Sequence, residues 1–383
     1  MNNSIVMNNS HIDTLANLTK ALADAQSAFV ERNETAQIIF TSIAAGTHAL
    51  LLGKPGTTKS ALISNAAKMT GLAFRKVLMN PDITRDEIVG AVDPKAFAAG
   101  KWDRVWSALA VADLAFVDEV GKATGANLNI LLNLMEEREV VTGGNSKSVP
   151  LKSLFGASNE IFSGTSPAVW DRFLARTIVQ PVSNDNFIDM LQADIDHMGS
   201  YPVDPIALAE LRTIAKQMAR NAPRQVYDVA LALKIGLTSQ SSAYVSDRRW
   251  RQIIELAAGN ALLNGRDTLE SADLNVARWC VWDVPRSGDI AAEIANIDTY
   301  VLSVTDTAQR ELMEFERKVT DLRARFDQLC PNGTREPNTD DDLIRINFLA
   351  DKVFDEIKDK KGRKWAELRS QLELLKGVIR TVF

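Results

Sequence analysis

The chain has 383 residues, 46% hydrophobic and 24% charged, which excludes a disordered tail protein and supplies apolar material for two or three packed domains. A formal net charge of -5 gives no global positive field for nucleic acid or anionic membrane. Two cysteines, Cys280 and Cys330, and three histidines exclude a disulfide framework and leave little for a Cys/His metal site.

No run of about 18 consecutive apolar residues occurs. The first residues lack the basic start and apolar stretch of a secretory signal. A soluble, cytoplasmic protein without membrane insertion is expected.

Residues 10–46 read as helical, with Leu15, Leu18, Leu22 and Ala25 at helical spacing, then Phe29, Ile38, Ile39 and Ile43. A short apolar run at 48–52 stops at a Gly/Pro-rich loop, Gly53-Lys-Pro-Gly-Thr-Thr-Lys-Ser60. A helix is predicted from about 59 to 70, closed by Gly71. Apolar runs at 74–79, 114–117 and 151–157 alternate with helical segments, predicting an α/β fold with a parallel sheet covered by helices. After about 185 no strand pattern returns, and Pro202, Pro205 and Pro223 punctuate helical segments up to 284.

From about 288 onward apolar positions repeat by 3 and 4, from Ile290 to Leu329 and again from Leu343 to Val382, around a turn-like stretch at 331–338. That is a coiled-coil-like seam. Two arms of about 40 residues, each spanning roughly 60 Å, are expected to fold back as an antiparallel helical hairpin, projecting or packed on the body.

The loop at 53–60 has the form G-x-x-x-x-T-K-S, a phosphate-binding loop with Thr58 in place of the usual glycine. A strand delivering backbone N–H groups to a helix N-terminus suits anionic phosphates. Thr58 is costly if the loop needs positive φ there. Lys59 would reach the β- and γ-phosphates of ATP, and Ser60 would hold Mg²⁺. The expected nucleotide-binding set is Gly53, Lys54, Pro55, Gly56, Thr57, Thr58, Lys59, Ser60 and Ala61. Downstream, the apolar run from Leu114 ends in Asp118-Glu119; Asp118 would serve Mg²⁺ and Glu119 would polarise the attacking water. The run at 151–157 leads to Asn159, whose amide could orient that water. Arg172 and Arg176, four residues apart in what reads as a helix end, are either a surface pair or a positive charge offered to a neighbouring subunit's phosphate. ATP is preferred to GTP because no guanine-reading Asn/Thr-Lys-x-Asp segment occurs.

This ordered set resembles the AAA+ ATPases, and more narrowly the MoxR family and its RavA-type members. The likeness runs over about 15–284. It rests on the 53–60 loop, on Asp118-Glu-Val-Gly-Lys-Ala-Thr-Gly-Ala-Asn-Leu-Asn-Ile-Leu-Leu-Asn-Leu-Met-Glu-Glu-Arg-Glu-Val140, and on Ala157-Ser-Asn-Glu160, Asp171-Arg-Phe173 and Val245-Ser-Asp-Arg-Arg-Trp250. MoxR loops commonly have a small residue where Thr58 stands. The resemblance implies Walker A roles for Lys59 and Ser60, Walker B for Asp118 and Glu119, and sensor 1 for Asn159. It implies an arginine finger at Arg172 or Arg176 and sensor 2 at Arg248 or Arg249. It also implies a homo-hexameric ring that hydrolyses ATP with Mg²⁺ and acts as a chaperone-like remodeler, often beside a von Willebrand A-domain protein. An α/β AAA+ domain over 1–190, an all-α lid over 191–285 and a helical domain over 286–383 are expected. RavA-type proteins carry a small domain inserted between the helical arms. Only about a dozen residues join the arms here, so that subgroup's partner is not carried over.

Trp279-Cys-Val-Trp282 reads as lid core, and His11, His48 and His197 are not metal-spaced. Lys358-Asp-Lys-Lys-Gly-Arg-Lys364 reads as a solvated face or a kink at Gly362. Residues 140–150 read as a β-hairpin, which the resemblance places near the ring pore. Two other functions are weighed: a nucleotide-gated scaffold with little turnover, and an AAA+ protein acting on nucleic acid, which the acidic balance disfavours.

Overall fold

The computed structural model describes residues 7–382 apart from 102, 143–144, 160–166, 241–244, 283–289, 332–338 and 361–362. It forms two compact units, Met1–Val301 and Leu302–Phe383.

The first unit is built on a five-stranded parallel sheet in the order β2-β3-β6-β1-β7, with β1 Ala49–Leu52, β2 Phe74–Leu78, β3 Leu114–Asp118, β6 Ser153–Ser158 and β7 Ala175–Ile178. β1 and β6 are buried along their whole length, which is why they read as continuous apolar runs rather than alternating ones. Because the strands are parallel, the chain leaves β1, β3 and β6 at the same, carboxyl-terminal end of the sheet. A crevice at that end is where such folds bind ligands.

The stretch 10–46, which reads as helical, forms two helices, α1 Asn9–Ala28 and α2 Asn33–Ala45, separated by a turn in which Glu31 takes φ +57. Asn8 and His11 form a reciprocal capping box at the start of α1. α3 Lys59–Thr70 begins inside the phosphate loop and ends at Gly71, as its sequence signals predict. Two short helices, α4 Arg85–Val89 and α5 Pro94–Ala98, follow β2, and α6 Gly125–Glu136 follows β3. The expected hairpin is present as β4 Glu139–Thr142 paired antiparallel with β5 Asn145–Ser148. α7 Pro167–Arg172 leads into β7. This strand was not predicted: its ARTI sequence carries a buried arginine, so no apolar run marks it.

Beyond the sheet the first unit is helical, with α8 Phe187–Gln192, α9 Pro205–Arg220, α10 Arg224–Gln240, α11 Asp247–Leu263, a 3₁₀ segment Ser271–Trp279 and most of α12 Ile290–Thr305, whose last turn lies past Val301. α11 packs on α2, α9 and the 3₁₀ segment. Trp282 is buried with its ring edge-on to Trp170, 6.1 Å between centroids, so the Trp-Cys-Val-Trp stretch is core that joins lid to sheet.

The second unit is α13 Thr307–Leu329, α14 Asp340–Ile357 and α15 Arg363–Val382, each packed on the other two. Its core is the predicted seam, including Val319, Leu322, Phe326, Leu343, Ile346, Leu368, Leu372 and Ile379. The repeat does not form two uninterrupted arms, however. Asp306 separates α12 from α13, and the chain turns again after α14, where Arg369 donates to the carbonyls of Ile357 (3.1 Å) and Lys360 (2.7 Å). A cation satisfying the last carbonyls ends the helix, and α15 folds back to make a third helix. The expected kink at Gly362 lies outside the described residues. Among the described residues no helix is long and apolar enough to cross a membrane.

Candidate active site

The loop after β1 is fixed by close backbone approach. Gly53 N–H donates to Ser158 O at 3.1 Å, and Gly53 has φ +144; a Cβ there would stand 2.3 Å from Val179 O. Thr58 does take positive φ, +63, the conformation for which the usual pattern has glycine. Its hydroxyl donates to Thr57 O at 2.6 Å and accepts from Arg32 Nε at 3.3 Å, while Arg32 Nη2 donates to Gln180 O at 2.7 Å. The buried Arg32, from the turn between α1 and α2, thus braces the strained residue from outside.

Lys59 folds back into the loop. Its Nζ shares its three N–H donors among Gly53 O (2.7 Å), Lys54 O (2.8 Å), Thr57 Oγ1 (3.2 Å) and Asn159 Oδ1 (3.3 Å). Burial pulls its pKa below the ordinary lysine value, against the charges of Asp118 and Glu119, which hold it up. At the tip of β3, Asp118 Oδ2 accepts from Ser60 Oγ at 3.5 Å and pairs with Lys76 Nζ at 2.8 Å. Glu119 adopts the left-handed region, φ +54. Its carboxylate accepts from the Asn159 side-chain amide and faces Lys122 Nζ at 3.6 Å. One network therefore runs from Lys59 through Asn159 to Glu119, with Ser60 and Asp118 beside it. Five residues from β1–α3, β3 and the end of β6 meet at the carboxyl-terminal end of the sheet.

Among the described residues no cluster of three or more His, Cys, Asp or Glu is placed to hold a metal. Mg²⁺ needs no such cage, since it keeps several waters and binds through one or two protein oxygens plus substrate phosphates. One hydroxyl and one carboxylate, Ser60 and Asp118, fit that requirement.

The predicted arginines lie elsewhere. Arg172 Nε donates to Glu136 Oε2 at 3.0 Å, and Arg248 Nη1 to Glu136 Oε1 at 2.9 Å; Arg248 also pairs with Asp171. Both arginines hold Glu136 below the usual carboxylate range, the hydrogen bond from Arg172 contributing most. Their cleft also contains Gly46, Thr47 and His48. The cluster therefore stands at the N-terminal end of β1, opposite the phosphate loop.

Arg176 is not at a helix end but on β7. It is buried, its guanidinium 4.7 Å from the Trp170 ring and 5.3 Å from the Trp282 ring, and it donates to Cys280 O at 3.0 Å. A side chain enclosed in this way cannot be offered to another subunit, which removes Arg176 as a finger. Arg249 is likewise buried and donates to the carbonyls of Trp170 (3.1 Å) and Phe173 (3.3 Å). It ties α11 to the α7–β7 junction and leaves Arg248 as the arginine at the surface.

Lys76, Arg32, Glu136 and Asp171 received no role from the sequence. Glu136 and Asp171 lie inside the stretches that carry the family likeness. Lys76 and Arg32 carry no local signal, because their partners are distant in sequence.

The MoxR domain in the MoxR-vWA-beta-propeller ternary systems matches residues 16–215, and an AAA lid domain matches 225–295. The chain is similar to two uncharacterized proteins of Methanocaldococcus jannaschii. MJ0079 is 34% identical over 270 residues, 70% of each chain, and MJ0812 is 30% identical over 302 residues, 78% of this chain and 80% of that one. Chaperone MoxR1 of Mycobacterium tuberculosis is 26% identical over 164 residues, 41% of this chain and 42% of that one. A crystal structure from Cytophaga hutchinsonii, described as that of a candidate ATPase, superposes with a TM-score of 0.61 at 16% identity, covering 77% of this chain and 95% of that one. The fold is that of an AAA+ α/β core with a helical lid. With the MoxR-domain match spanning more than half of its length, the chain belongs to the MoxR family of AAA+ ATPases.

Proposed function

We propose that this protein hydrolyses ATP with Mg²⁺ in a homo-hexameric ring and uses the cycle to remodel a protein partner. The observation that carries the reading is the single network joining Lys59, Asn159 and Glu119 beside Ser60 and Asp118. Residues 53–61 cradle the phosphates, and Lys59 exchanges its loop carbonyls for β- and γ-phosphate oxygens. Ser60 and Asp118 would hold Mg²⁺, whose charge would offset that of the phosphates. Glu119 takes the proton of the attacking water, and Asn159 fixes the position of that carboxylate. Arg172, with Arg248 beside it, faces an adjacent subunit's nucleotide. The position of both at the far end of β1 supports a role in trans rather than at their own loop.

The chaperone name of the Mycobacterium relative supports a remodelling role, and the description of the matched MoxR domain supports a von Willebrand A-domain partner. The RavA-type assignment rests on the sequence stretches alone. For the division of labour we keep an α/β domain over 1–190, a lid over 191–285 and a helical domain from 286 as the partner-facing part, with the whole in the cytoplasm.

The test is ATP turnover by wild type, Lys59→Ala and Arg172→Ala, with oligomer mass measured with and without nucleotide. The expected result is a wild-type ring that turns over ATP, no turnover by Lys59→Ala, and an Arg172→Ala ring that binds ATP but turns over on the order of 10³-fold more slowly. A wild-type monomer that binds ATP without turnover would replace the motor with a nucleotide-gated scaffold.

A further inference from the structure

α2 ends on Gly46 in the left-handed conformation, φ +65, and two arginines converge on that cap. Arg138 Nη2 donates to Gly46 O at 2.7 Å. Arg212, on α9, lays its stem so close that a Cβ at Gly46 would stand 2.6 Å from its Cδ. Lys216 follows Arg212 by one helical turn. All three line a cleft of about 450 Å³ at the N-terminal end of β1, and all three line the adjoining cavity of about 260 Å³.

The cleft is short of negative charge. Six basic residues line it against Glu136, Asp247 and Glu255. Glu136 already serves Arg172 and Arg248, and Asp247 pairs with Lys234 at 3.2 Å. Among the described acidic residues of the cleft, Glu255 is left facing Arg212 and Lys216. His48 adds no charge: it accepts from Leu154 N–H at Nδ1 (2.9 Å), so Nε2 carries the hydrogen and donates to Met135 O (2.9 Å). Nε and Nη1 of Arg138 are buried with no hydrogen-bond partner among the described residues. Burial, and then the charge of Arg212, pull the Arg138 guanidinium below its ordinary pKa. A guanidinium still keeps its proton, so a buried one with two idle donor atoms calls for an anion.

We propose that this cleft is a second phosphate-binding site, in which Arg138, Arg212 and Lys216 hold a phosphate-class oxyanion at the end of the sheet opposite the 53–58 loop. Planar N–H donors and an ammonium suit tetrahedral oxyanions, and the excess of basic over acidic residues suits a multiply charged one. The phosphate comes either free from solution or on the nucleotide of an adjacent subunit. Only the second source rests on the ring reading above.

The test uses the full chain carrying Lys59→Ala, which silences the first loop, titrated calorimetrically with pyrophosphate at a concentration where it is monomeric. Binding tighter than about 1 mM, weakened at least tenfold by Arg212→Met and by Lys216→Met, establishes a free anion as the ligand. Arg138 also caps Gly46, so these two peripheral variants carry the test, with circular dichroism reporting their fold. If the monomer does not bind, the same two substitutions are made in the Lys59 chain with Mg²⁺ and a slowly hydrolysed ATP analogue. A tenfold weaker nucleotide-dependent assembly, with ATP binding to the monomer unchanged, establishes the neighbour's nucleotide as the source. Unchanged pyrophosphate binding together with unchanged assembly overturns the proposal. Wild-type turnover and mass, measured alongside, report on the ring separately.

Discussion

Lys76 and Ser60 share one carboxylate oxygen: Asp118 Oδ2 lies 2.8 Å from Lys76 Nζ and 3.5 Å from Ser60 Oγ. Lys76 sits on β2 directly across from Phe116 and also lies over that ring, 5.1 Å from its centroid. The ammonium therefore occupies the oxygen that Mg²⁺ would use. The pair is partly exposed, so the competition is worth under about 1 kcal/mol. Lys76→Gln is expected to lower the Mg²⁺ concentration for half-maximal ATP turnover by about two- to fivefold. An unchanged or higher requirement, in a Mg²⁺ titration at fixed ATP, would show that Lys76 does not compete there.

What the sequence revealed depended on whether a signal was local. The bounds of α3 follow from the Lys59-Ser60 start and the Gly71 stop, both adjacent to the helix. The residues gathered at the phosphate loop were legible because each follows an apolar run, in the strand tip, loop or turn at the carboxyl-terminal end of a parallel strand. β7 was not legible, because Arg176 interrupts its apolar pattern and its partners, the Trp170 and Trp282 rings and the Cys280 carbonyl, lie outside the strand in sequence. Likewise the heptad seam identified which side chains are buried in the second unit, but a seam constrains faces rather than where a helix turns back. Arg369 capping Ile357 and Lys360 is a tertiary contact with no periodic trace.

The loop tolerates Thr58 and requires Gly53, for different reasons. Thr58 pays a backbone cost of about 1–2 kcal/mol for its positive φ, offset by the hydroxyl bonds to Thr57 and Arg32. Thr58→Gly removes both the strain and the bonds, and its unfolding free energy is expected to stay within about 1 kcal/mol of wild type, with ATP binding retained. Gly53→Ala instead drives a Cβ against Val179 O, and ATP binding is expected to be lost. Equilibrium ATP-analogue binding to both variants decides the matter. Equal loss in the two would mean that Thr58 contributes more than its backbone conformation.

Adjacent arginines on α11 divide two tasks. Arg249 is buried against the carbonyls of Trp170 and Phe173, so Arg249→Met leaves those acceptors unpaired and is expected to destabilise the first unit by about 2–4 kcal/mol. Arg248 is more than a third exposed beside Glu136 and Asp171, and Arg248→Ala is expected to cost under about 1 kcal/mol of stability while slowing turnover at least tenfold. Urea unfolding and steady-state turnover on the two variants separate the roles. Equal stability losses would assign both arginines to the lid joint.

Asp298 on α12 ties stability to pH. Burial raises its pKa from the ordinary 3.8 to about 6; Arg278 opposes the shift, and Glu34 adds to it. Asp298 and Arg176 both line a cavity of about 220 Å³, and Glu34 is itself paired with Arg278 at 2.7 Å. Because the folded chain holds this proton more tightly than the unfolded chain, the group's stabilising contribution is full below about pH 4 and is lost as the pH rises through about 6. With the carboxyl only half-buried, solvent screening limits the effect to about 1 kcal/mol. Asp298→Asn abolishes the titration while keeping the shape. Compared with wild type, it is expected to be about 1 kcal/mol more stable at pH 7.5 than it is at pH 4, measured by urea unfolding at both values. The comparison between the two proteins cancels every other titrating group, so an equal difference at the two pH values would show that Asp298 is not the group responsible.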